Sequence, residues 1–245
     1  MYKHNFEHIN SLKHLWHTVF GDAPSVIDAY FDAFYSPNLT AIEYADGELA
    51  GAAYVMPAGD LVNGDTREKC AHIYAVAVYP KFRGRGFGIT VTNRAVDLAK
   101  KAGFTAVVLH PAEESLFGYY GKHCGFKTCF SADTKSSLSG EKLTPTDTET
   151  YQSCREKFLK DIPHIALSRN ILDFFQKCGG KLYISETGCA AVENIDGTAY
   201  YREALGGFCA DTPNSVFSCP GRSIATGMIH ESADFDFGWM GLTLE

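Results

Sequence analysis

The stretch VAVYPKFRGRGFG, residues 76–88, decides the fold of this chain. It overlaps an apolar run over 70–79 that predicts a buried strand, and it leads into 89–101, whose apolar residues recur at helical spacing. The order is therefore strand, glycine loop, helix. A helix N-terminus has unpaired N–H groups and partial positive charge, and glycines let a phosphate approach the backbone closely. The loop therefore predicts a pyrophosphate site.

Three basic residues, Lys81, Arg83 and Arg85, place positive charge beside these glycines. The spacing does not fit two common phosphate loops. A Walker loop needs Lys-Ser or Lys-Thr after its glycines, and none follows here. A Rossmann loop needs G-x-G-x-x-G after the first strand of a βαβ unit, whereas this chain has G-x-G-x-G after several strands. Hydrolysis of a nucleoside triphosphate is therefore unsupported.

The segments around the loop show helical and strand patterns. They predict helices over 12–20, 24–34 and 115–123, and strands over 40–44, 49–56 and 105–109. Asp46-Gly47 joins the first two strands, because Asp-Gly tolerates the positive φ that a tight hairpin needs. The helix over 89–101 is expected to be a crossover that feeds a parallel strand.

A second half follows a segment rich in Ser, Thr, Asp and Lys over 131–150, which is the best linker in the chain. Beyond it, two helices precede another hairpin, whose turn contains Asp196-Gly197. This order matches the first half and is consistent with a degenerate internal duplication. We expect a unit with the glycine loop over 1–135, a linker over 136–147 and a companion unit without such a loop over 148–245.

The composition is typical of a globular protein. The chain has 245 residues, of which 45% are hydrophobic and 21% charged, and its formal net charge is −7. The acidic balance disfavours nucleic acid as a partner and suits a cationic small substrate. The absence of a long apolar stretch and the polar N-terminal start predict a cytoplasmic protein with no membrane partner. Eight cysteines without a C-x-x-C pair predict free thiols, with no disulfide and no metal.

Residues 76–88 resemble the signature of the GCN5-related N-acetyltransferase (GNAT) family, R/Q-x-x-G-x-G/A, which wraps the pyrophosphate of acetyl-coenzyme A (acetyl-CoA). Residues 119–126, YYGKHCGF, resemble the second family motif, a short helix with a tyrosine that runs into Gly-Phe. One residue is extra between the tyrosine and Gly-Phe, so Tyr120 and Tyr119 are both candidates for the family's tyrosine. The likeness covers residues 8–130, and the trailing half is similar to the two-part enhanced-intracellular-survival branch.

The resemblance implies an α/β fold with a mixed sheet, namely the GNAT acyltransferase fold followed by a truncated GNAT-like or α+β companion. It assigns acetyl-CoA binding to the strand end, the loop and the first helical turn, that is, to Val76, Ala77, Val78, Arg83, Gly84, Arg85, Gly86, Phe87, Gly88 and Ile89. The N–H of Ala77 or Val78 would stabilise the oxyanion. Tyr120, with Tyr119 in reserve, would give a proton to the leaving thiolate.

The base that accepts the proton of the acceptor amine is not identified by the sequence. Candidates at strand ends near the expected cleft are Glu43, His72, Tyr74 and His110. The likeness to the enhanced-intracellular-survival branch adds the α-carboxylate of Glu245, and a water chain is a further alternative. Aromatic residues on or near the second helix are candidates for the acceptor cleft: Phe31, Tyr35 and Tyr54.

The expected function is transfer of an acetyl group from acetyl-CoA to a primary amine of a small cationic molecule or a peptide. The amine would attack directly, because holding both reactants together makes a covalent enzyme intermediate unnecessary. Two alternatives stay open from the sequence. One is an acyltransferase that uses a different acyl-CoA, and the other is a non-catalytic module that binds or senses coenzyme A. A homo-oligomer is compatible with the sequence, which indicates no interface.

Overall fold

Helices and strands alternate through residues 2–135, 140–209, 214–231 and 234–242, which the computed structural model describes. The helices are α1 (Tyr2–Phe20), α2 (Pro24–Phe34), α3 (Phe87–Lys101), α4 (Glu114–Cys124), α5 (Thr148–Leu159) and α6 (Arg169–Lys177). The first strands are β1 (Thr40–Ala45), β2 (Glu48–Asn63), β3 (Thr66–Val78), β4 (Ala106–Leu109), β5 (Phe126–Lys135), β6 (Glu141–Lys142) and β7 (Thr144–Pro145). The remaining strands are β8 (His164–Leu167), β9 (Lys181–Ile184), β10 (Gly188–Ile195), β11 (Thr198–Gly206), β12 (Phe208–Cys209), β13 (Ser215–Pro220) and β14 (Ile224–His230).

Twelve of the described strands form one mixed sheet. Its order is β1-β2-β3-β4-β14-β5-β13-β11-β10-β9-β7, and β8 pairs with β2 beside this path. β6 and β12 form a separate pair. β3 and β4 are parallel and α3 connects them, as predicted for the crossover. The fold is therefore α/β with a mixed sheet, which confirms the predicted fold class.

Helices cover both faces of this sheet. Alternate residues of β2 divide between two hydrophobic clusters, with Ala52, Tyr54 and Met56 in one and Ala53 and Val55 in the other. The first cluster also contains the apolar residues of α1, α2, α5 and α6, and the second contains those of α3 and α4. Because successive side chains of a strand point to opposite faces, the two groups of helices lie on opposite sides. None of the described helices is long and apolar enough to cross a membrane.

The two halves of the chain exchange strands at the centre of the sheet. β14, from the second half, lies between β4 and β5 of the first half and is antiparallel to both. β5 in turn pairs with β13 of the second half. Each half thus completes its part of the sheet with a strand from the other, and the hydrogen-bonded sheet is continuous across the predicted linker.

Two hairpins have the same kind of turn. Asp46-Gly47 joins β1 to β2 with φ angles of 56° and 80°, and Asp196-Gly197 joins β10 to β11 with 48° and 81°. Positive φ at both central residues is characteristic of a type I′ turn, which matches the twist of the flanking strands. Both predicted hairpins are therefore confirmed.

Several strands lie where the sequence analysis predicted none. β5 extends to Lys135 through the start of the segment interpreted as a linker, and β8, β13 and β14 have no predicted counterpart. Within the predicted linker, the short strands β6 and β7 pair with β12 and β9, and residues 136–139 lie outside the described residues. The predicted domain boundaries stay a prediction.

Candidate active site

The site begins where β3 separates from β4. Their parallel pairing covers Cys70 to His72 of β3 and ends there, although β3 continues to Val78. Ala75 has a φ of 47°, and the register with β2 shifts at the same point. An extra residue of this kind is a β-bulge, which bends a strand and is common beside active sites. The bulge turns the end of β3 away from β4 and opens one edge of the strand.

Backbone groups of Val78 face this open edge. The N–H of Tyr79 donates to the carbonyl of Ala50 on β2, 3.0 Å away. In an antiparallel pair of strands, hydrogen-bonded and non-hydrogen-bonded residue pairs alternate. This hydrogen bond makes Val78 and Gly51 a non-hydrogen-bonded pair, so the N–H and C=O of Val78 point away from β2. The Val78 carbonyl accepts a hydrogen bond from Nε of Arg83 at 3.3 Å. Of the two predicted oxyanion donors, the N–H of Val78 is directed to the opening, whereas that of Ala77 is directed to β2.

The glycine loop leads from this strand end into α3. Gly86 is the N-cap of α3 and has a φ of 86°, and Gly84 has a φ of 75°. A Cβ at either position would meet no atom within 4 Å. The loop therefore keeps open space in front of the positive end of a helix, which is the arrangement that binds a phosphate.

The basic residues of the loop have acidic neighbours on the turn between β1 and β2. Lys81 pairs with Glu48, and Nη1 of Arg85 lies 3.3 Å from Oδ2 of Asp46. All four side chains are about half exposed or more, so these ion pairs are weak and can be exchanged for a ligand. The predicted positive charge is present at the loop, and two of its three basic residues, Lys81 and Arg85, are held in ion pairs.

The two tyrosines of α4 occupy different places. Tyr119 is half-buried and its hydroxyl accepts a hydrogen bond from the N–H of Ile89 in the first turn of α3. A Cβ at Gly88 would lie only 2.9 Å from this hydroxyl, so the tyrosine packs directly on the start of α3. Tyr120 is buried and lines the cleft described next. Burial, followed by the neighbouring Cys124 and Tyr119, raises the pKa of Tyr120, so its hydroxyl stays protonated at neutral pH.

A cleft of about 380 Å³ lies beside the bulge. Trp16, Phe20 and Tyr74 supply aromatic walls, and Asp22 supplies a carboxylate. Oδ2 of Asp22 accepts a hydrogen bond of 2.6 Å from Nε1 of Trp16, which fixes its orientation. Among the described residues that line the cleft there is no lysine, arginine, serine or cysteine. The cleft therefore suits a cation, and its described lining offers no serine, cysteine or lysine nucleophile.

The candidate bases are divided between the cleft and its surroundings. His72 and His110 line the cleft. Burial, and secondarily His110, lowers the pKa of His72 to about 3. Glu43 lies outside the cleft, where its Oε1 accepts a hydrogen bond of 2.6 Å from Arg94 of α3. Glu245 lies outside the described residues.

The aromatic residues predicted to line the cleft lie elsewhere. Phe31 stacks on Tyr35 with ring centroids 5.0 Å apart, and Tyr54 packs against Trp16 at 5.3 Å in the core beneath α1 and α2. Sequence analysis did not identify Trp16 and Asp22 as residues of the cleft, because neither belongs to one of the motifs. The local signal that could have found them is their position at the end of one helix and the start of the next.

An open strand end, a glycine-rich helix N-terminus and a buried tyrosine lie close together, as the resemblance to the GNAT family implies. The chain belongs to the GNAT acetyltransferase family, because residues 3–125 match the family model described as an acetyltransferase (GNAT) domain. The prediction of the family is confirmed.

Comparisons with individual proteins agree with this assignment. A probable glucosamine 6-phosphate N-acetyltransferase 2 of Oryza sativa subsp. japonica is 45% identical over 58 residues, which are 24% of this chain and 34% of the rice protein. A probable N-acyltransferase of Enterococcus faecalis has a similar structure, with a TM-score of 0.67, 13% identity, and coverage of 91% of this chain and 70% of that one. Eis1 of Mycobacterium abscessus also has a similar structure, with a TM-score of 0.59, 13% identity, and coverage of 89% of this chain and 64% of Eis1. At this identity the two structures show a common fold, which extends over both halves.

Proposed function

We propose that the protein is an N-acetyltransferase that transfers the acetyl group of acetyl-CoA to a primary amine of a small cationic molecule or a peptide. One observation carries the proposal. Tyr119 packs on the first turn of α3, and the adjacent Tyr120 lines the cleft beside the unpaired end of β3. A group bound at the helix N-terminus and a group bound in the cleft would therefore meet at one point.

The chain's residues fit acetyl-CoA, which when bound supplies an acetyl group as an activated thioester. The space in front of Gly84 and Gly86 is open, and the N-terminus of α3 would hold the pyrophosphate. The open edge of β3 offers backbone groups to the amides of the pantetheine arm. The proposed binding residues are Val76, Ala77, Val78, Arg83, Gly84, Arg85, Gly86, Phe87, Gly88 and Ile89.

Two groups have proposed roles in the chemistry. The N–H of Val78 would stabilise the negative charge that develops on the acyl oxygen. Tyr120 would donate a proton to the departing sulfur, because its raised pKa keeps it protonated. Direct attack by the amine is favoured, since no cysteine lines the described cleft and burial raises the pKa of the neighbouring Cys124 to about 11.

The acceptor is proposed to carry positive charge. The name of the rice relative gives that protein a primary amine on a phosphorylated sugar as acceptor. The described lining of this cleft has a carboxylate, Asp22, between aromatic walls and no lysine or arginine that would hold a phosphate. Aromatic faces beside a carboxylate bind an ammonium group through cation–π and ionic attraction. We therefore favour a cationic amine over a phosphorylated sugar.

The proposal assigns different tasks to the parts of the chain. Residues 1–135 would be the coenzyme-binding catalytic unit, 136–147 the linker and 148–245 a companion unit. The support for this division is the glycine loop, which has no counterpart in the second half, and the acetyltransferase match, which ends at residue 125.

Release of free coenzyme A from acetyl-CoA across a panel of amines tests the proposal. The panel contains diamines, a peptide with a free N-terminus and glucosamine 6-phosphate, and parallel reactions use longer acyl-CoA donors. We expect turnover with acetyl-CoA and the diamines. Asp22→Asn is expected to raise the KM of the diamines about tenfold, because it removes one charged contact worth roughly 1.4 kcal/mol.

Asp28→Asn is the matched control, because Asp28 is an exposed carboxylate on α2 that pairs with Lys13 at 2.7 Å outside the cleft. It should leave the KM unchanged. Acetyl-CoA that raises the melting temperature without any turnover on the panel would replace the proposal by the coenzyme sensor. Turnover restricted to a longer acyl-CoA would replace it by an acyltransferase with another donor.

A further inference from the structure

Asp22, the carboxylate of the cleft, belongs to the short connection between α1 and α2, residues 21–23. Gly21 follows the end of α1 with a φ of 79°, and its N–H donates to the carbonyl of His17 at 2.9 Å. A glycine with left-handed backbone is a common way to end a helix, and it turns the chain sharply. Asp22 therefore follows directly on a tight turn at the edge of the cleft.

The carboxylate of Asp22 is not used to cap α2. An aspartate before a helix commonly accepts a hydrogen bond from an N–H of the first helical turn. Here the N-cap is Ala23, which has no side-chain cap, and its carbonyl accepts the N–H groups of Val26 and Ile27. Among the described residues, Asp22 has no ion pair, and Nε1 of Trp16 is the one donor to its side chain. The carboxylate is therefore available to a cation in the cleft.

Two neighbouring residues of α1 hold both parts of Asp22. Nε1 of Trp16 donates to Oδ2 of Asp22 at 2.6 Å, and Nδ1 of His17 lies 2.9 Å from the carbonyl oxygen of Asp22. A carbonyl oxygen can only accept a hydrogen bond, so Nδ1 is the donor in the second contact. One hydrogen bond fixes the side chain, and the other fixes the backbone from which the side chain projects.

Trp16 is itself held rigidly. It is 2% exposed, and its ring packs against those of Tyr30, Tyr54 and Tyr74, with centroids 4.9, 5.3 and 5.6 Å away. The donor Nε1 is therefore fixed by the core, and Oδ2 of Asp22 is placed with it. A binding group that is fixed before the ligand arrives loses little conformational freedom on binding, which favours affinity.

The second carboxylate oxygen of Asp22, Oδ1, accepts no hydrogen bond from the described residues. It can accept one from an ammonium group, which has three donors. Phe20 lines the same cleft, is 43% exposed, and has its ring centroid 6.4 Å from that of Trp16. An apolar surface is therefore available to the carbon chain of such a ligand.

The chemistry of the transfer determines which nitrogen can bind at Asp22. An amine attacks a thioester through its lone pair, and an ammonium has no lone pair. A carboxylate favours the charged form of a neighbouring amine, so Asp22 would oppose the reaction of any nitrogen that it binds. The nitrogen beside Asp22 is therefore one that does not react. The acceptor needs a second amino group, which is neutral when it attacks the acetyl carbon.

We propose that Asp22 binds the non-reacting ammonium of a diamine, and that Trp16 and His17 are positioning residues for this contact. The inference rests on the proposed function. It narrows the substrate class from cationic amines and peptides to molecules with two amino groups. The turn between α1 and α2 is then the part of the cleft that selects the acceptor.

The experiment compares two acceptors of equal length, namely a diamine and an amino alcohol in which a hydroxyl replaces the second amino group. Release of free coenzyme A gives kcat and KM for each, with concentrations expressed as neutral amino groups. For the wild type we expect kcat/KM to be about tenfold higher with the diamine, which is the effect of one charged contact. Asp22→Asn should remove this preference. Equal kcat/KM values for the two acceptors in the wild type would overturn the proposal.

Substitutions of the positioning residues give the second test. Trp16→Phe keeps an aromatic ring but removes the donor to Oδ2, and His17→Ala removes the donor to the carbonyl. Each should lower the preference for the diamine about threefold, because each removes one hydrogen bond. His17→Asn should restore the preference, since its amide N–H can take the place of Nδ1. The loss should appear as a higher KM for the diamine rather than as a lower kcat.

Thr18→Val is the matched control on the same helix. The hydroxyl of Thr18 donates to the backbone carbonyl of His14 at 2.7 Å, but Thr18 is exposed and lies outside the described lining of the cleft. This variant should keep the tenfold preference for the diamine.

The double variant Trp16→Phe with Asp22→Asn separates positioning from a structural role. If Trp16 acts through Asp22, the double variant should have the same KM for the diamine as Asp22→Asn alone. A further rise in KM, or an unchanged preference in both Trp16→Phe and His17→Ala, would overturn the positioning roles. His17 is exposed, so its two variants decide the matter if Trp16→Phe does not fold. Failure of the wild type to release coenzyme A with any amine would instead overturn the proposed function, and the inference with it.

Discussion

Both halves of the chain contain two helices, an antiparallel hairpin and a pair of parallel strands, and they differ in how the parallel strands are joined. In the first half, β3 is joined to its parallel neighbour β4 by residues 79–105, which include α3. In the second half, β11 is joined to its parallel neighbour β13 by residues 207–214 only. Both hairpins that precede these connections have a type I′ Asp-Gly turn. The shorter connection cannot contain a helix of the length of α3, so the second half has no counterpart there of the helix N-terminus that is proposed to bind the pyrophosphate.

The second half has a buried polar cluster centred on β11. Glu203 is fully buried, and its carboxylate accepts hydrogen bonds from Arg155, Tyr151 and Trp239. Trp239 follows Gly238, which forms an isolated parallel β-bridge with Phe130 of β5. The companion half therefore has a structural contribution to the first half: it supplies β14, which pairs with β4, and Leu109 at the end of β4 lines the cleft.

Breaking the buried cluster is expected to have the largest effect. Glu203→Gln removes the buried charge beside Arg155, whose side chain is 1% exposed, and leaves it only the partly exposed carboxylate of Glu156 at 3.2 Å. Leaving one member of a buried ion pair uncompensated costs about 3–5 kcal/mol of stability. Urea denaturation followed by far-ultraviolet circular dichroism and by tryptophan fluorescence measures this loss.

The control for Glu203 is Glu193→Gln in the same hairpin. Glu193 pairs with Arg202 at 2.7 Å in a partly exposed position, and we expect a loss below about 1 kcal/mol. Because the halves exchange β5 and β14, Glu203→Gln should still unfold in one transition. A separate first unfolding transition that leaves acetyl-CoA binding intact would show that the halves fold independently. It would contradict the view that each half depends on a strand from the other.

The two tyrosines of α4 give the next largest effect. Tyr120→Phe removes the proposed proton donor and should lower kcat about 100-fold, while the affinity for acetyl-CoA is unchanged. Tyr119→Phe removes one hydrogen bond to the N–H of Ile89, so it should change that affinity by less than about tenfold and preserve kcat. Steady-state kinetics at saturating amine separates the two. If Tyr119→Phe has the larger loss of kcat, the assignment must be reversed.

The local part of this architecture was predictable from sequence. The strand, glycine loop and helix over 70–101 depend on neighbouring residues, and so do the Asp-Gly hairpins. β5 was not predicted, and Ser131, Asp133 and Thr134 in its second part have linker-like composition. Its strand character comes from β13 and β14, whose paired residues lie about 90 positions later in the chain. Such long-range pairing has no local signal.

The same reason limits what could be predicted about the site. Tyr120 and the loop glycines were found from their motifs, whereas the sequence left four residues, the terminal carboxylate and water as alternatives for the base. His110, which lines the cleft, contacts the carbonyl of Thr226 only because β14 inserts beside β4. No pattern around residue 110 contains the information that a strand from residues 224–230 becomes its neighbour.

A pair of glycine substitutions, one in each half, has the smallest expected effect and tests whether the glycine loop alone approaches the coenzyme. Gly86 in the loop and Gly197 in the second hairpin both have left-handed backbone, with φ of 86° and 81°, and a Cβ at either would meet no atom within 4 Å. Alanine at each position should cost about 1–2 kcal/mol of stability, because a Cβ disfavours this conformation. Only at Gly86 does the added methyl group also enter the space proposed for the pyrophosphate. Gly86→Ala should therefore weaken acetyl-CoA binding in calorimetry, and Gly197→Ala should not. Equal affinities in the two variants, at equal losses of stability, would mean that the coenzyme does not approach the N-terminus of α3 as proposed.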